Sequence, residues 1–348
     1  MEGKRMSGVA GMAAMVRHRR DGATGCFGAF AVHFSHCPGG ASEYGVPRRV
    51  YRHPQQGRCE KCGLRCRQGG NRATPAESRS SPVLPMPVTV HAIHRYPVKG
   101  LGAEALPAVE LAQGEAIPGD RRHALARAGH AAAAQDAGWQ PKRCFIALDS
   151  CPQLAAVSVR RAADGHALVL KYRGAMLAAG DPDDSAGRLT LEGALSGLAG
   201  APAKLVGGPV SRFTDARQAL LSIACLSSAD DLAAIVGHAV DIRRFRANLI
   251  LAGGLPWQEL DWVGETLTVG ALKLRVVEPI LRCAAIRANP GNGDADVDLL
   301  RPLARRFEEP LFGVYAEVVA GGRIAVGASV TVPERCGRLR DRSALGVR

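Results

Sequence analysis

The stretch Asp261–Cys283, "DWVGETLTVGALKLRVVEPILRC", reads as strand from Glu265 onward, and it sets a cysteine beside an arginine at the strand's end. Directly after it comes an Asn289-Pro290-Gly291 turn signal. A residue just past a strand and before such a turn is held by the sheet yet can face a cleft. Taken alone, a free cysteine is more often a buried structural thiol. A soft thiolate beside a cation such as Arg282 is also a suitable ligand for a soft or borderline metal centre, so both readings of Cys283 stand at this point.

Strand signals recur on either side. "VTVHAIHRYPVKG" (88–100) opens as a strand and breaks at Pro97, and "AVSVRRAADGHALVLKY" (156–172) has two β-rich arms around Asp164-Gly165, a hairpin signature. "RLTLEG" (188–193) alternates Leu189 and Leu191 and reads as a further strand, as do "RANLILA" (246–252) and "GRIAVGASVTV" (322–332). Two helices are expected. In "SSADDLAAIVG" (227–237) Ser228 is a candidate cap, Leu232, Ile235 and Val236 share a face, and Gly237 ends the helix. "DVDLLRPLARRF" (296–307) is the second. The fold class expected from these patterns is mostly β (α+β), barrel-like, with a few short helices.

With 348 residues, 47% of them hydrophobic, the chain can bury a substantial core over about two domains. The net charge of +13 invites a nucleic-acid reading, but residues 1–85 hold 14 Lys+Arg against 5 Asp+Glu, a surplus of nine. The excess therefore lies mostly outside the strand-rich part, whereas recognition needs basic residues on one folded face. Nucleic acid is not an expected partner, and no apolar run is long enough to cross a bilayer. A cytoplasmic location follows as the expectation. The five cysteines after residue 85 (Cys144, Cys151, Cys225, Cys283 and Cys336) show no disulfide-like spacing and read as free thiols. Residues 1–87 lack sustained periodicity and are expected to be a disordered basic extension. Within it Cys59, Cys62 and Cys66 supply only three thiolates, short of a closed zinc or iron–sulfur site.

Taken together and in order, "HRYPVKG", "IPGDRRHAL", "RFRANLIL", "DWVGETLTVGALKLRVVEPILRC", "NPGNGDADVDLLRPL" and "FGVYAEVVAGGRIAVG" resemble the MOSC N-terminal β-barrel domain followed by the MOSC domain, from Val88 to Val332. That family includes amidoxime-reducing, hydroxylaminopurine-detoxifying and cofactor-sulfurase proteins. The resemblance implies two β-barrel-like modules at 88–205 and 206–333, a flexible tail at 334–348, and a molybdenum cofactor (Mo–molybdopterin) between the modules. Cys283, in the "RC" motif, is the implied metal ligand and catalytic residue. Lys99, Arg121, Arg246, Asn248 and Arg282 are the implied cofactor-binding residues. The implied activity is reduction of N-hydroxylated or other N–O substrates by a molybdenum-dependent oxidoreductase, with electrons from a separate ferredoxin, flavoprotein or cytochrome. The alternative is a cofactor carrier or sulfur relay. The pyridoxal-phosphate desulfurase part of the sulfurases is not matched, so pyridoxal phosphate binding remains a family association only. Gly100 and Leu281 stand where reducing members often carry small polar residues.

Overall fold

A computed structural model describes residues 86–131, 139–163, 165–208 and 212–333. The expectations for residues 1–85, including Cys59, Cys62 and Cys66, and for the tail after 333 lie outside the described residues. All of the described residues fall within one compact unit, Ser78–Arg348. They form strands in four sheets and three α-helices.

The opening stretch folds as a hairpin. β12 (Thr266–Val269) pairs antiparallel with β13 (Leu272–Leu281), Val269 opposite Leu272, and Gly270 turns between them with φ +58. In β13 Leu272, Leu274 and Val276 are buried, and Lys273 and Arg275 are exposed. This is the period of a strand covered on one face. The alternation breaks at Val277 and Glu278, both exposed, where the register against β14 (Leu311–Ala320) shifts; it shifts again between Pro279 and Leu281. Pro279 has no N–H to give the ladder, and bulges re-aim whatever follows them. Here the residues that follow are Arg282 and Cys283.

The hairpin lies at one edge of a seven-stranded sheet of order β12-β13-β14-β10-β11-β1-β2. Its other members are β10 (Leu221–Cys225), β11 (Leu249–Ala252), β1 (Thr89–Arg95) and β2 (Glu104–Leu106). β1 and β2 come early in the chain yet complete a sheet made mostly of later strands. The segment 327–331 bonds to both sides: Val90 N–H donates to the Ala328 carbonyl at 2.9 Å, and Thr268 N–H to the Thr331 carbonyl at 3.0 Å. It links β1 to β12, so the sheet curls into a barrel-like form without closing as a regular barrel of strands.

Gly313 on β14 shows how tightly this sheet is drawn. It has φ +72, and a Cβ there would meet the Ile223 carbonyl oxygen at 2.4 Å and the Arg282 guanidinium at 3.3 Å. Only glycine lets the backbone adopt this conformation and pass so close.

Smaller sheets build the other half. β6 (Val157–Arg161), β7 (Leu168–Tyr172) and β8 (Ala175–Gly180) form a meander, and the β6–β7 pairing is the hairpin expected around Asp164-Gly165. β4 (His123–Arg127) pairs with β5 (Phe145–Ile146) and β9 (Ala203–Gly207). "RLTLEG" is not a strand. It lies inside helix α1 (Ser185–Ala199), capped by the Asp184 side chain accepting from Gly187 N–H at 2.9 Å and ended by Gly200 in the left-handed conformation. Leu191 and Leu195, four residues apart, are its buried face, while Leu189 is 62% exposed. Helical spacing overrides the short alternation. Helix α2 (Leu226–Val236) ends at Gly237 as expected but begins before Ser228; α3 (Leu300–Phe307) is the second helix read from the sequence.

Ser228, expected as a cap, is instead buried within α2. Its hydroxyl donates to Glu259 Oε2 at 2.8 Å and accepts from Trp257 N–H at 2.8 Å. Glu259 is 0% exposed, and burial pushes its carboxyl up to about 7 against weaker opposing hydrogen bonds from Ser228 and Cys225. The folded state thus holds a proton that the unfolded chain, with a carboxyl near 4.5, releases. Its stability is undiminished by this group below pH 4.5 and declines as pH rises through about 7, by about 3 kcal/mol in all. His123 acts oppositely: burial lowers it to about 4, so the fold loses stability as pH falls below about 6.5. The difference between variants isolates the first term. Urea midpoints measured from pH 4.5 to 8 should fall more steeply for the native chain than for Glu259→Gln; parallel curves would show that Glu259 is ionised throughout.

Candidate functional site: a cationic cavity beside an exposed thiol

Three hydrophobic clusters underlie the fold, and the two larger ones meet at the site. One lies against the large sheet and includes Ile223, Leu249, Phe245, Ile286 and Phe312; the other joins β6, β7 and α1 through Leu154, Val157, Leu168, Leu170 and Leu191. A cavity of about 370 Å³ takes wall residues from both, Phe245 and Ile286 from the first and Leu148 and Ala285 from the second. All six residues singled out from the sequence line it: Lys99, Arg121, Arg246, Asn248, Arg282 and Cys283.

Lys99 follows β1 on a turn closed by Gly100, whose φ of +87 favours the glycine found there over a serine. The lysine is 7% exposed; its ammonium donates to the Phe213 carbonyl at 2.9 Å and to Asp215 at 2.6 Å. Burial lowers its pKa, with Asp215 pulling the other way.

Arg121 and Arg246 are held by Tyr96. The guanidinium carbons lie 4.4 Å and 4.3 Å from the ring centroid. Both residues have left-handed backbones, with φ +47 and +52. Such conformations cost about 1–3 kcal/mol in bulky residues and persist where the surroundings over-determine them. Arg121 pairs with Asp120 and donates to the Arg246 carbonyl at 2.9 Å. Arg246 donates to the Leu101 carbonyl at 2.6 Å and, among the described residues, has no carboxylate in direct contact. Burial, with Arg121 adding repulsion, lowers it to about 10.

Arg282 has the same character. Its guanidinium donates to the Phe312 carbonyl at 2.8 Å and 2.6 Å and to the Phe245 carbonyl at 2.7 Å, and burial lowers it to about 10. It was expected to be the cation at the sulfur; instead these carbonyls hold it. Asn248, 2% exposed, is also held in place: Oδ1 accepts from Ser222 N–H, Ser222 Oγ and Arg121, and Nδ2 donates to the His94 carbonyl at 3.1 Å. It positions Arg121 and ties β10 to β11.

Cys283 is exposed, whereas Cys144, Cys151 and Cys225 are buried, and all four are free thiols. The cation at the sulfur is Lys142, whose Nζ lies 3.0 Å from Sγ and 3.3 Å from Asp149 Oδ2. Burial acts to lower the Lys142 pKa, but Cys283 and Asp149 outweigh it and the net shift is upward. Sequence reading missed Lys142, Asp215, Tyr96 and Tyr315. Of these Tyr96 and Tyr315 lay within motifs, "HRYPVKG" and "FGVYAEVVAGGRIAVG", where they could have been asked about. Arg122 and His123 face another way, onto Asp183.

The cavity therefore joins buried positive charge to a reachable thiol. Among the described residues two guanidiniums there, of Arg246 and Arg282, have only carbonyls and aromatic faces in direct contact. A buried cation without a counter-ion is costly, and a bound anion would relieve that cost.

Parts of the chain are similar to known proteins. The MOSC domain family matches residues 206–331. The chain is 35% identical over 75 residues to the molybdenum cofactor sulfurases of Drosophila willistoni and Bos taurus, a segment covering 21% of this chain but only 9% and 8% of those proteins. Among solved structures, the YUAD protein from Bacillus subtilis covers 71% of this chain and 96% of its own at 12% identity and a TM-score of 0.35. YiiM from Escherichia coli covers 34% and 55% at 16% identity and a TM-score of 0.25. The segment that matches the MOSC domain family, residues 206–331, brings Arg246, Asn248, Arg282 and Cys283 to the cavity.

Proposed function

We propose that the cavity holds a molybdenum cofactor by its phosphate-bearing end and that Cys283 supplies the protein thiolate to the metal. The observation that carries this reading is the pair of buried guanidiniums, Arg246 and Arg282, lacking carboxylate partners in the cavity that Cys283 borders. The donor set suits the group: guanidinium forks and an ammonium match phosphate oxygens, and a thiolate matches a soft metal. When bound, the cofactor supplies two-electron oxygen-atom chemistry at its metal. The chain orients it. Tyr96 fixes the spacing of Arg121 and Arg246, Asn248 holds Arg121, and the β13 bulges place Cys283 at the cavity rim.

In this reading the protein is an oxidoreductase for N-hydroxylated or related N–O substrates, fed by a separate electron donor such as a ferredoxin, flavoprotein or cytochrome. The test is protein purified from a host that makes the cofactor, given a viologen reduced by dithionite and an aromatic amidoxime. Amidine should form at a rate proportional to molybdenum content. Bound molybdenum without turnover would favour the second reading, a cofactor carrier or sulfur relay. The 75-residue likeness to cofactor sulfurases and the exposed position of Cys283 support that alternative.

A further inference from the structure

Lys142 is the cavity cation at the Cys283 sulfur, and its bonding is incomplete. An ammonium has three N–H donors. Two are accounted for by Cys283 Sγ at 3.0 Å and Asp149 Oδ2 at 3.3 Å, and among the described residues no other acceptor is within hydrogen-bond reach. The side chain is 27% exposed, so the third donor is open to an incoming ligand. Lys99 likewise makes two bonds, to Phe213 and Asp215, but it is only 7% exposed, so its ammonium is far less open to an incoming ligand. On the same rim Leu281, 61% exposed, and Pro279 are apolar and offer nothing that would hold an oxygen.

We infer that Lys142 is a substrate-binding residue, its free donor holding a negatively charged oxygen of the ligand next to Cys283. The inference rests on the reading of Cys283 as the reacting end of the cavity, and it narrows the substrate to molecules that present a formally anionic oxygen there, such as an N-oxide or a deprotonated N-hydroxy group. A neutral ligand oxygen would gain roughly half as much from the same donor.

The test uses the cofactor-free full chain at one fixed pH. Alkylation of Cys283 is followed by mass spectrometry of its peptide, with iodoacetate, which carries a carboxylate, and with neutral iodoacetamide. Both reagents attack the same thiolate, so the ratio of their rates cancels its population and reports the charge waiting beside it. Lys142→Met should lower the iodoacetate-to-iodoacetamide ratio by about tenfold, the loss of one charge-assisted hydrogen bond. Lys142→Arg should restore most of it, and Lys142→Gln, which keeps a polar head without charge, should behave as Met does. A ratio unchanged in Lys142→Met, or lowered equally in Lys142→Arg, would overturn the assignment. In the loaded protein the same Met variant should raise KM for an N-oxide with molybdenum content unchanged. Absence of molybdenum from the native chain would defeat the proposed function while leaving the alkylation ratio to judge Lys142.

Discussion

Cys283→Ser is expected to abolish molybdenum-dependent turnover and to leave the melting temperature within about one degree of the native chain. A serine oxygen is a harder ligand, protonated at neutral pH, and cannot replace a thiolate on a soft metal. The new hydroxyl costs little because position 283 is exposed and water can satisfy it. The buried cysteines provide the comparison. At Cys144, Cys151 and Cys225 the same change puts a hydroxyl where a thiol packed, costing about 1–3 kcal/mol where no acceptor is found, without changing turnover per folded molecule. Cys225 already touches Glu259 and Cys151 already donates to Gln153 Oε1 at 3.4 Å, so these two variants should be milder than Cys144→Ser. Melting temperature, metal content and turnover on all four variants decide the matter. A stable and fully active Cys283→Ser protein would remove the metal-ligand assignment.

The second large effect is expected at Arg246, and stability and binding should move in opposite directions. Arg246→Met removes a buried charge that, among the described residues, forms no direct ion pair with a carboxylate, while a methionine keeps the apolar contact with Tyr96. The cofactor-free protein should melt no lower than the native chain, because the lost bond to the Leu101 carbonyl is offset by relief of the buried charge. Affinity for the cofactor should fall about tenfold to over a hundredfold, the value of a charge-assisted hydrogen bond of roughly 1.5–3 kcal/mol. Arg246→Lys should recover only part of it, since an ammonium lacks the planar fork. Occupancy measured against added cofactor, beside a thermal melt, reads both effects. Tight binding by the Met variant would mean that Arg246 is a structural cation.

The contrast between Arg246 and Arg282 bears on how such experiments are read. Arg282 makes three bonds to the carbonyls of Phe312 and Phe245 and closes the space between β13 and β14, so its removal damages fold and charge together. Arg246 makes one and separates them better. A left-handed backbone at both Arg121 and Arg246, stacked on one tyrosine ring, is strain that packing alone gives no reason to keep.

The strands were legible because one covered face imposes alternation, as in Leu272, Leu274 and Val276 of β13. α1 was not, because six residues of alternating leucine cannot distinguish a strand from part of a helix. The wider spacing Leu191, Leu195 and Leu198, after the Asp184 cap, carries the helical period. The cavity was legible where its residues sit in short motifs. Lys142 was invisible because its meaning comes from a contact across 141 positions of sequence, which no local pattern encodes. Arg282 shows the converse: adjacency to Cys283 suggested a direct partnership, but successive residues at a strand end point to opposite sides, and its guanidinium turns to the carbonyls of the neighbouring strand and of Phe245.

The most direct measurement of the central claim is elemental analysis of the chain purified from a host that makes the cofactor, with the released pterin assayed on the same sample. The account predicts molybdenum and pterin in equimolar amounts with protein, both lost together in Arg246→Met and regained on adding cofactor. Protein that emerges folded, with neither molybdenum nor pterin before or after incubation with the cofactor, would contradict it.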